Sequence, residues 1–311
     1  MSYPKVTVVG AGHVGATAAF LLLMHEVADV VLIDVVEGLP QGKALDMAHA
    51  RSVEHFGPEI LGTNDYADTA GSDLVILTAG LPRKPGMSRD DLLALNSEIV
   101  RSVVALVVAA SPEAVLLCVT NPLDVMTYLA WKVSGLPASR VIGMGGVLDS
   151  ARFAFAIAEE TGASIDAIDA VVVGAHGDAM VPLPAHSAVD GRPLTDVLDS
   201  ARVAALVERT ISGGAEVVAL LKSGSAYYAP AASVVRMARA VLGDTGETMS
   251  SCVLLSGAYG IHDVYLSVPA TLDRSGVRCV PELPLSEEEC AALRSSAATV
   301  AEALDGLALR A

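Results

Sequence analysis

Residues 8–17 read VVGAGHVGAT. Gly10, Gly12 and Gly15 make a GxGxxG pattern that follows an apolar run at Lys5–Val9 and opens a helix-like segment. Few folds accept this arrangement. Gly10 permits a tight turn out of the strand, Gly12 lets backbone approach a pyrophosphate, and Gly15 lets the helix lie close to the sheet. The first helical N–H groups are left for an anion. Alone, the pattern also fits an ordinary strand–helix turn. What narrows it is the next apolar run, VVLID, at the spacing of a strand–helix–strand unit and ending in Asp34. A carboxylate there accepts hydrogen bonds from ribose hydroxyls and repels a 2′-phosphate. No arginine follows it closely, so NAD is expected rather than NADP.

The same alternation continues. Short apolar runs at Lys5–Val9, Val30–Asp34, Leu74–Thr78, Ala114–Val119 and Val141–Gly143 are expected as strands. Helices are expected at Ala11–His25, Gln41–His55, Asp90–Ala110 and Leu123–Val133. Short strands that are apolar throughout and separated by helices predict a parallel, doubly wound sheet. The second half mixes its elements: helices at Leu148–Glu160, Ser200–Leu221, Ala229–Leu242 and Ser286–Leu307, strands at Val171–Val173, Met249–Leu255 and Asp263–Pro269, and a hairpin turn at Asp190-Gly191. The expectation is an α/β chain, with a Rossmann domain over 1–145 and a mixed α+β domain over 146–311, divided at the glycine-rich GMGG.

A net charge of -16 over 311 residues argues against nucleic acid and anionic membrane surfaces as partners. No transmembrane span is expected, because Arg101, Ser111 and Pro112 interrupt the most apolar stretch. Ala16–Met24 could imitate a signal-peptide core, but a strand and a glycine turn precede it. Four cysteines without a CxxC pair, two of them (Cys118 and Cys252) in apolar runs, point to free thiols and a cytoplasmic setting. Metal-ligand spacing is absent.

Three loops and one helix carry functional groups. TAGLPRKPGMSRDD, residues 78–91, leaves a sheet strand and places Arg83, Lys84 and Arg89 in an acidic protein; it reads as a solvated loop or as a lid that grips a carboxylate. In VTNPLD, Asn121 precedes a proline in a turn and can offer its amide to a ligand; a cis peptide suits that turn. In VLDSARF, Asp149 and Arg152 share a helix face among apolar neighbours. In GAHGDAM, His176 leaves a strand between small residues, displayed rather than wrapped in bulk. A carboxylate such as Asp149 on one ring nitrogen fixes the tautomer and leaves the other to exchange a proton. Arg152 can hold a carboxylate with two parallel hydrogen bonds.

Taken together, GAGHVGA, VVLID, TAGLPRKPGMSRDD, VTNP, VLDSAR, GAHGD and GSAYYAPA resemble the lactate/malate dehydrogenase family across essentially the whole chain, most closely its malate-specific, lactate-dehydrogenase-like branch. The resemblance implies that His176 is the general acid/base, Asp149 its orienting partner, Arg152 the clamp for the C1 carboxylate and Arg89 the group that polarises the C2 carbonyl. It implies that Asn121 contacts substrate and that Arg83, where lactate enzymes usually carry glutamine, selects a dicarboxylate. Ser225-Ala226 departs from the lactate pattern in the same direction. NAD contacts are implied at Gly10, Gly12, His13, Val14, Gly15, Asp34, Asn96, Val119 and Asn121, and a homo-oligomer, tetramer in preference to dimer, is implied. The runner-up readings are a lactate dehydrogenase, against which Arg83 speaks, and a catalytically silent NAD sensor, which would not need His176, Asp149, Arg152 and Arg89.

Overall fold

The computed structural model describes residues 3–81 and 89–310, except for the side chains of residues 89 and 90. In chain order the elements are β1 (Lys5–Val9), α1 (His13–Met24), β2 (Asp29–Ile33), α2 (Leu39–Glu54), β3 (Ile60–Thr63), β4 (Leu74–Leu77), α3 (Arg89–Ala110), β5 (Val115–Cys118), α4 (Leu123–Ser134) and β6 (Val141–Gly143). They continue with α5 (Gly146–Thr161), β7 (Ile168–Asp169), β8 (Val172–Gly174), β9 (Met180–Pro182), β10 (Ala188–Val189), β11 (Arg192–Pro193), α6 (Leu194–Val197), α7 (Ser200–Leu221), α8 (Tyr228–Leu242), β12 (Glu247–Ser256), β13 (His262–Asp273), β14 (Gly276–Cys279) and α9 (Glu287–Gly306).

Two units form. The first comprises Met1–Met144, Tyr227–Glu247 and Thr271–Cys279; the second comprises Gly145–Ala226, Thr248–Ala270 and Val280–Ala311. In the first, six strands run in the order β3-β2-β1-β4-β5-β6, every neighbouring pair parallel. Their apolar character explains this. Leu74, Val75, Ile76 and Leu77 of β4 are all buried, as are Val115 to Cys118 of β5, so both sheet faces need cover. The order reverses direction on either side of β1, and the GxGxxG turn leaves the carboxyl end of that strand. This is the place where open α/β sheets hold ligands.

The expected division at residue 145 assigns 227–247 and 271–279 to the second domain, whereas in the structure they return to the first unit. The physical reason lies in α1. Its sequence, HVGATAAFLLLM, is apolar on all sides, so covering the sheet does not exhaust it. Helix α8 brings buried Ala231, Val234, Val235, Met237 and Ala238 and packs along it. A second departure concerns α3: residues Asp91–Ala110 are long and apolar enough by composition to cross a membrane, yet here the helix packs against α4 and buries Val100, Val103, Val104 and Val107. Strand β3 was not expected. Its Gly62 is required by contact, since a β-carbon there would stand 2.2 Å from the Pro40 carbonyl oxygen of α2.

In the second unit, β12-β13-β8-β9 form a sheet in which β13, β8 and β9 pair antiparallel. A smaller sheet, β11-β10-β7, contains the expected hairpin, whose Asp190 and Gly191 both have positive φ, +50° and +74°, as a two-residue turn of this hand requires. Phe153 and Ile157 of α5 centre a core with Val172, Met180, Leu194 and Leu206.

The cysteines give a test of this core. Cys118 and Cys252 are buried, Cys279 is exposed and Cys290 is half-buried. Burial pushes the Cys118 thiol up to about 12, and the thiolate is the reactive form. In native protein a thiol-reactive disulfide reagent should therefore modify Cys279 first and Cys290 more slowly, and leave Cys118 and Cys252 untouched until denaturant is added. Rapid native labelling of Cys118, read by peptide mass, would contradict the packing.

Candidate active site

The first unit builds a loop for an anion. Gly10 has φ +103°, and its N–H donates to Ile33 O at 2.8 Å. A β-carbon on Gly10 would lie 2.7 Å from Thr78 Oγ1 and 2.9 Å from the Ala79 nitrogen, while one on Gly15 would lie 1.9 Å from Gly10 O. Nothing stands within 4 Å of a β-carbon placed on Gly12, so the space over that residue is open. Gly12 is also the N-cap of α1, with no side chain capping the helix. Those first amide N–H groups remain for a ligand. The three glycines thus divide their work as the sequence predicts: turn, open approach and close packing.

Asp34 follows β2 directly. Its Oδ2 accepts from the Ala11 N–H at 2.7 Å and its Oδ1 from the Val36 N–H at 2.9 Å. The carboxylate therefore ties the end of β2 to the glycine turn. His13 opens α1; its exposed ring stacks on Tyr227, centroids 5.0 Å apart. Val14 beside it is half-buried. Asn96 is 1% exposed. Its Oδ1 accepts from Leu81 N (2.8 Å), and its amide nitrogen donates to Leu81 O (3.2 Å) and Asn121 O (2.7 Å). That amide clamps two loops together and spends both its donors doing so. Val119 closes off β5, with its N–H on Leu77 O, and Asn121 is exposed just beyond it. The Asn121–Pro122 peptide is cis, as expected.

The second unit holds His176. Helix α5 begins with Gly145 as its N-cap and no side-chain cap, and Asp149 lies in its first turn, where the helix dipole favours negative charge. Asp149 is 1% exposed. Its Oδ2 stands 2.9 Å from His176 Nδ1 and its Oδ1 3.4 Å from Arg152 Nη1. A carboxylate only accepts, so Nδ1 carries the proton and Nε2 becomes the basic nitrogen. His176 is less open than the sequence implied, its side chain being 15% exposed. The loop around it is nonetheless built on glycine: Gly174 and Gly177 have φ of +90° and +107°, where an L side chain would strain the backbone.

Two features beside these residues went unread in the sequence. Gly213 and Gly214 lie inside α7, and β-carbons there would stand 3.5 Å from Arg152 Cδ and 3.6 Å from its Nη atoms. A glycine pair within a helix of 22 residues is costly. At those distances an added methyl would only touch the Arg152 side chain, so the pair borders the arginine and is not required by it. Serine hydroxyls position the rest: Ser267 accepts from Gly146 N, Ser250 donates to Val172 O, and Ser296 accepts from Ala175 N. Nothing in their sequence spacing marks them. Arg83 lies outside the described residues. Arg89 opens α3, but its side chain is also outside the description.

A glycine turn for a dinucleotide in one unit and a histidine held by a buried carboxylate, with an arginine beside it, in the other are the parts of a nicotinamide-dependent dehydrogenase. Comparison with known proteins agrees. Residues 4–143 match the family model for the lactate/malate dehydrogenase NAD binding domain, and residues 146–308 match that for the alpha/beta C-terminal domain of the same family. Malate dehydrogenase of Roseiflexus castenholzii is 49% identical over 97% of both chains; that of Synechocystis is 52% identical over 95% of this chain and 91% of its own. Among solved structures, malate dehydrogenase from Salinibacter ruber superposes with a TM-score of 0.93 at 45% identity, covering 97% of each chain. Lactate dehydrogenase from Cryptosporidium parvum, complexed with lactic acid and nicotinamide adenine dinucleotide, superposes at 0.94 with 40% identity, covering 98% and 99%. The chain belongs to the lactate/malate dehydrogenase family. It is an oxidoreductase and its cofactor is NAD.

The buried carboxylate gives the sharpest test of this geometry. Asp149→Asn preserves shape but lets an amide N–H face Nδ1, which inverts the tautomer and removes the charge that Arg152 faces. Turnover should fall by roughly 10²-fold or more, the scale of general acid/base catalysis, while NADH affinity measured by fluorescence changes little. An Asp149→Asn protein with undiminished kcat would remove the carboxylate from the mechanism.

Proposed function

We propose that this chain is an NAD-dependent malate dehydrogenase, interconverting (S)-malate and oxaloacetate. The observation that carries the reading is the shared carboxylate: Asp149 meets both His176 and Arg152, so one helical turn holds the proton-exchanging group and the carboxylate clamp in fixed relation. Relatives named malate dehydrogenase, about half identical along nearly the whole chain, support the same substrate.

The open space over Gly12 and the uncapped start of α1 fit the pyrophosphate of NAD, and Asp34 fits the adenosine ribose. When bound, the nicotinamide supplies hydride exchange with C2 of the substrate. Everything else falls to side chains of this chain. His176 Nε2 takes the C2 hydroxyl proton in oxidation and returns it in reduction, with Asp149 facing the imidazolium formed between. Arg152 holds the C1 carboxylate through paired N–H donors. Arg89 polarises the C2 oxygen, and Asn121 offers its amide near the same atoms. Holding these groups and the substrate in register supplies much of the rate. We read the protein as a cytoplasmic homo-oligomer, a tetramer in preference to a dimer.

The lactate dehydrogenase reading stays in view because a lactate dehydrogenase superposes as well as a malate enzyme does. Fold therefore does not discriminate between them; the choice falls to Arg83. Oxaloacetate carries a second carboxylate where pyruvate has a methyl. With a net charge of -16, long-range attraction of a dianion does not help, and salt screens such fields beyond about 8 Å. Selection must come from a local contact.

Arg83→Gln removes that contact. Breaking a buried charge pair costs on the order of 3–5 kcal/mol, so kcat/KM for oxaloacetate should fall several hundred-fold or more while pyruvate gains. Arg89→Gln should harm both substrates, because carbonyl polarisation is common to them. His176→Asn should retain NADH binding and lose roughly 10²-fold or more in turnover. All three are read from NADH absorbance with oxaloacetate and with pyruvate. An unchanged oxaloacetate-to-pyruvate ratio in Arg83→Gln would overturn the substrate assignment.

A further inference from the structure

We propose that Lys43 is the second determinant of which dinucleotide this chain accepts, acting against Asp34. The inference rests on the NAD reading above and goes beyond it. Lys43 comes from the first turns of α2 and reaches back to the glycine turn, where its Nζ donates to Ala11 O at 2.6 Å. The N–H of the same Ala11 donates to Asp34 Oδ2 at 2.7 Å. The ammonium and the carboxylate do not meet directly; they face each other across one residue's backbone. Among the described residues, no other lysine or arginine side chain hydrogen-bonds to residues 10–15.

The helix start that carries the lysine is fixed from several sides. Just ahead of it on α2, Gln41 donates to Asn64 Oδ1 at 2.6 Å, and the Asn64 amide donates to Asp34 O and Val36 O at 2.7 and 3.2 Å. One residue earlier, the Pro40 carbonyl is seated on Gly62 of β3 so closely that no β-carbon fits between them. The start of α2 is thereby bound to the end of β2, and the ammonium reaches the same residue of the turn that Asp34 holds.

The consequence is electrostatic. A ribose diol sets its hydroxyls against Asp34 and gains from an acceptor. A 2′-phosphate at the same place carries up to two negative charges, so Asp34 repels it while Lys43, a backbone's width away, attracts it. Cofactor choice is then a balance of two opposite charges on one turn, in which Asp34 prevails while it is present. Remove Asp34 and the cation stays, already oriented. Relaxed selectivity in Asp34→Ser is thus predicted to depend on Lys43, which repulsion by Asp34 alone would not require. A lysine that merely tied the turn would affect both dinucleotides alike.

The test compares four proteins: wild type, Asp34→Ser, Lys43→Met and the double variant. Dissociation constants for NADH and NADPH are read by nucleotide fluorescence without substrate, so the result does not depend on turnover. Asp34→Ser should strengthen NADPH binding relative to NADH by about tenfold or more. Adding Lys43→Met should take back about tenfold of that ratio, the scale of one charge-assisted hydrogen bond, and Lys43→Arg in the same background should keep it. The salt dependence of NADPH binding should be steeper in Asp34→Ser than in the double variant. A double variant with the same NADPH-to-NADH ratio as Asp34→Ser would overturn the proposal, as would equal losses for both nucleotides. Wild type that binds neither nucleotide would overturn the NAD reading instead. Circular dichroism of each variant separates loss of fold from loss of selectivity, and if Lys43→Met unfolds, the Lys43→Gln pair carries the same comparison.

Discussion

A β-carbon on Gly15 would lie 1.9 Å from the Gly10 carbonyl oxygen. Helix α1 can therefore leave β1 at its observed angle only because this position has no side chain. Much of the first unit follows from that approach. Close packing of α1 on the sheet fixes where its N-terminus points, and the absence of a capping side chain at Gly12 leaves the amide donors unspent. Thr78 then closes the turn from the neighbouring strand, its hydroxyl within 2.9 Å of Val9 O and 3.1 Å of Gly10 O. Asp34 holds it from β2. The result is a rigid backbone surface that would recognise an anion by geometry, with charge only at its margins.

That economy of charge matters in a chain so acidic. The two cations described beside the glycine turn and His176 are each held by a specific acceptor: Lys43 by a backbone carbonyl, Arg152 by a buried carboxylate. Neither is a patch. A diffuse basic surface would attract any anion, whereas a single oriented cation rewards only a ligand whose own charge arrives at the right atom. The acidic remainder of the surface then discourages anions that bind nowhere in particular.

Much of this was legible before any coordinates. The strands of the first unit announce themselves because they are buried on both faces and read as unbroken apolar runs, and α1, α3 and α4 fill the intervals between them. The glycine turn and Asp34 were legible because each residue has a distinct steric or electrostatic task at a fixed spacing. The His176–Asp149 pair was harder. The two residues are far apart in sequence, and only the expected chemistry, helped by family resemblance, joined them. What sequence could not give was allegiance. Helix α8 follows the second half in the chain and joins the first unit, because its apolar stripe says that it must be covered and not by what. Strand β3 escaped because four residues with a central glycine carry almost no periodicity. That Gly213 and Gly214 border Arg152 escaped because nothing in a glycine pair names its neighbour.

The unequal distances around Asp149 bear on how Arg152 can serve. The contact to His176 is short, 2.9 Å, while that to Arg152, at 3.4 Å, is near the limit of a hydrogen bond. A guanidinium has five N–H donors, and among the described residues Arg152 has committed only this one, marginally. Had Asp149 gripped it with two short parallel bonds, a substrate carboxylate would have had to break a better-formed pair to bind. As arranged, the carboxylate spends its stronger contact on orienting the imidazole and only steers the arginine. Orientation without full satisfaction suits the clamp proposed for Arg152: a donor fork steered by one weak contact, with most of its hydrogen-bonding capacity left for an incoming carboxylate.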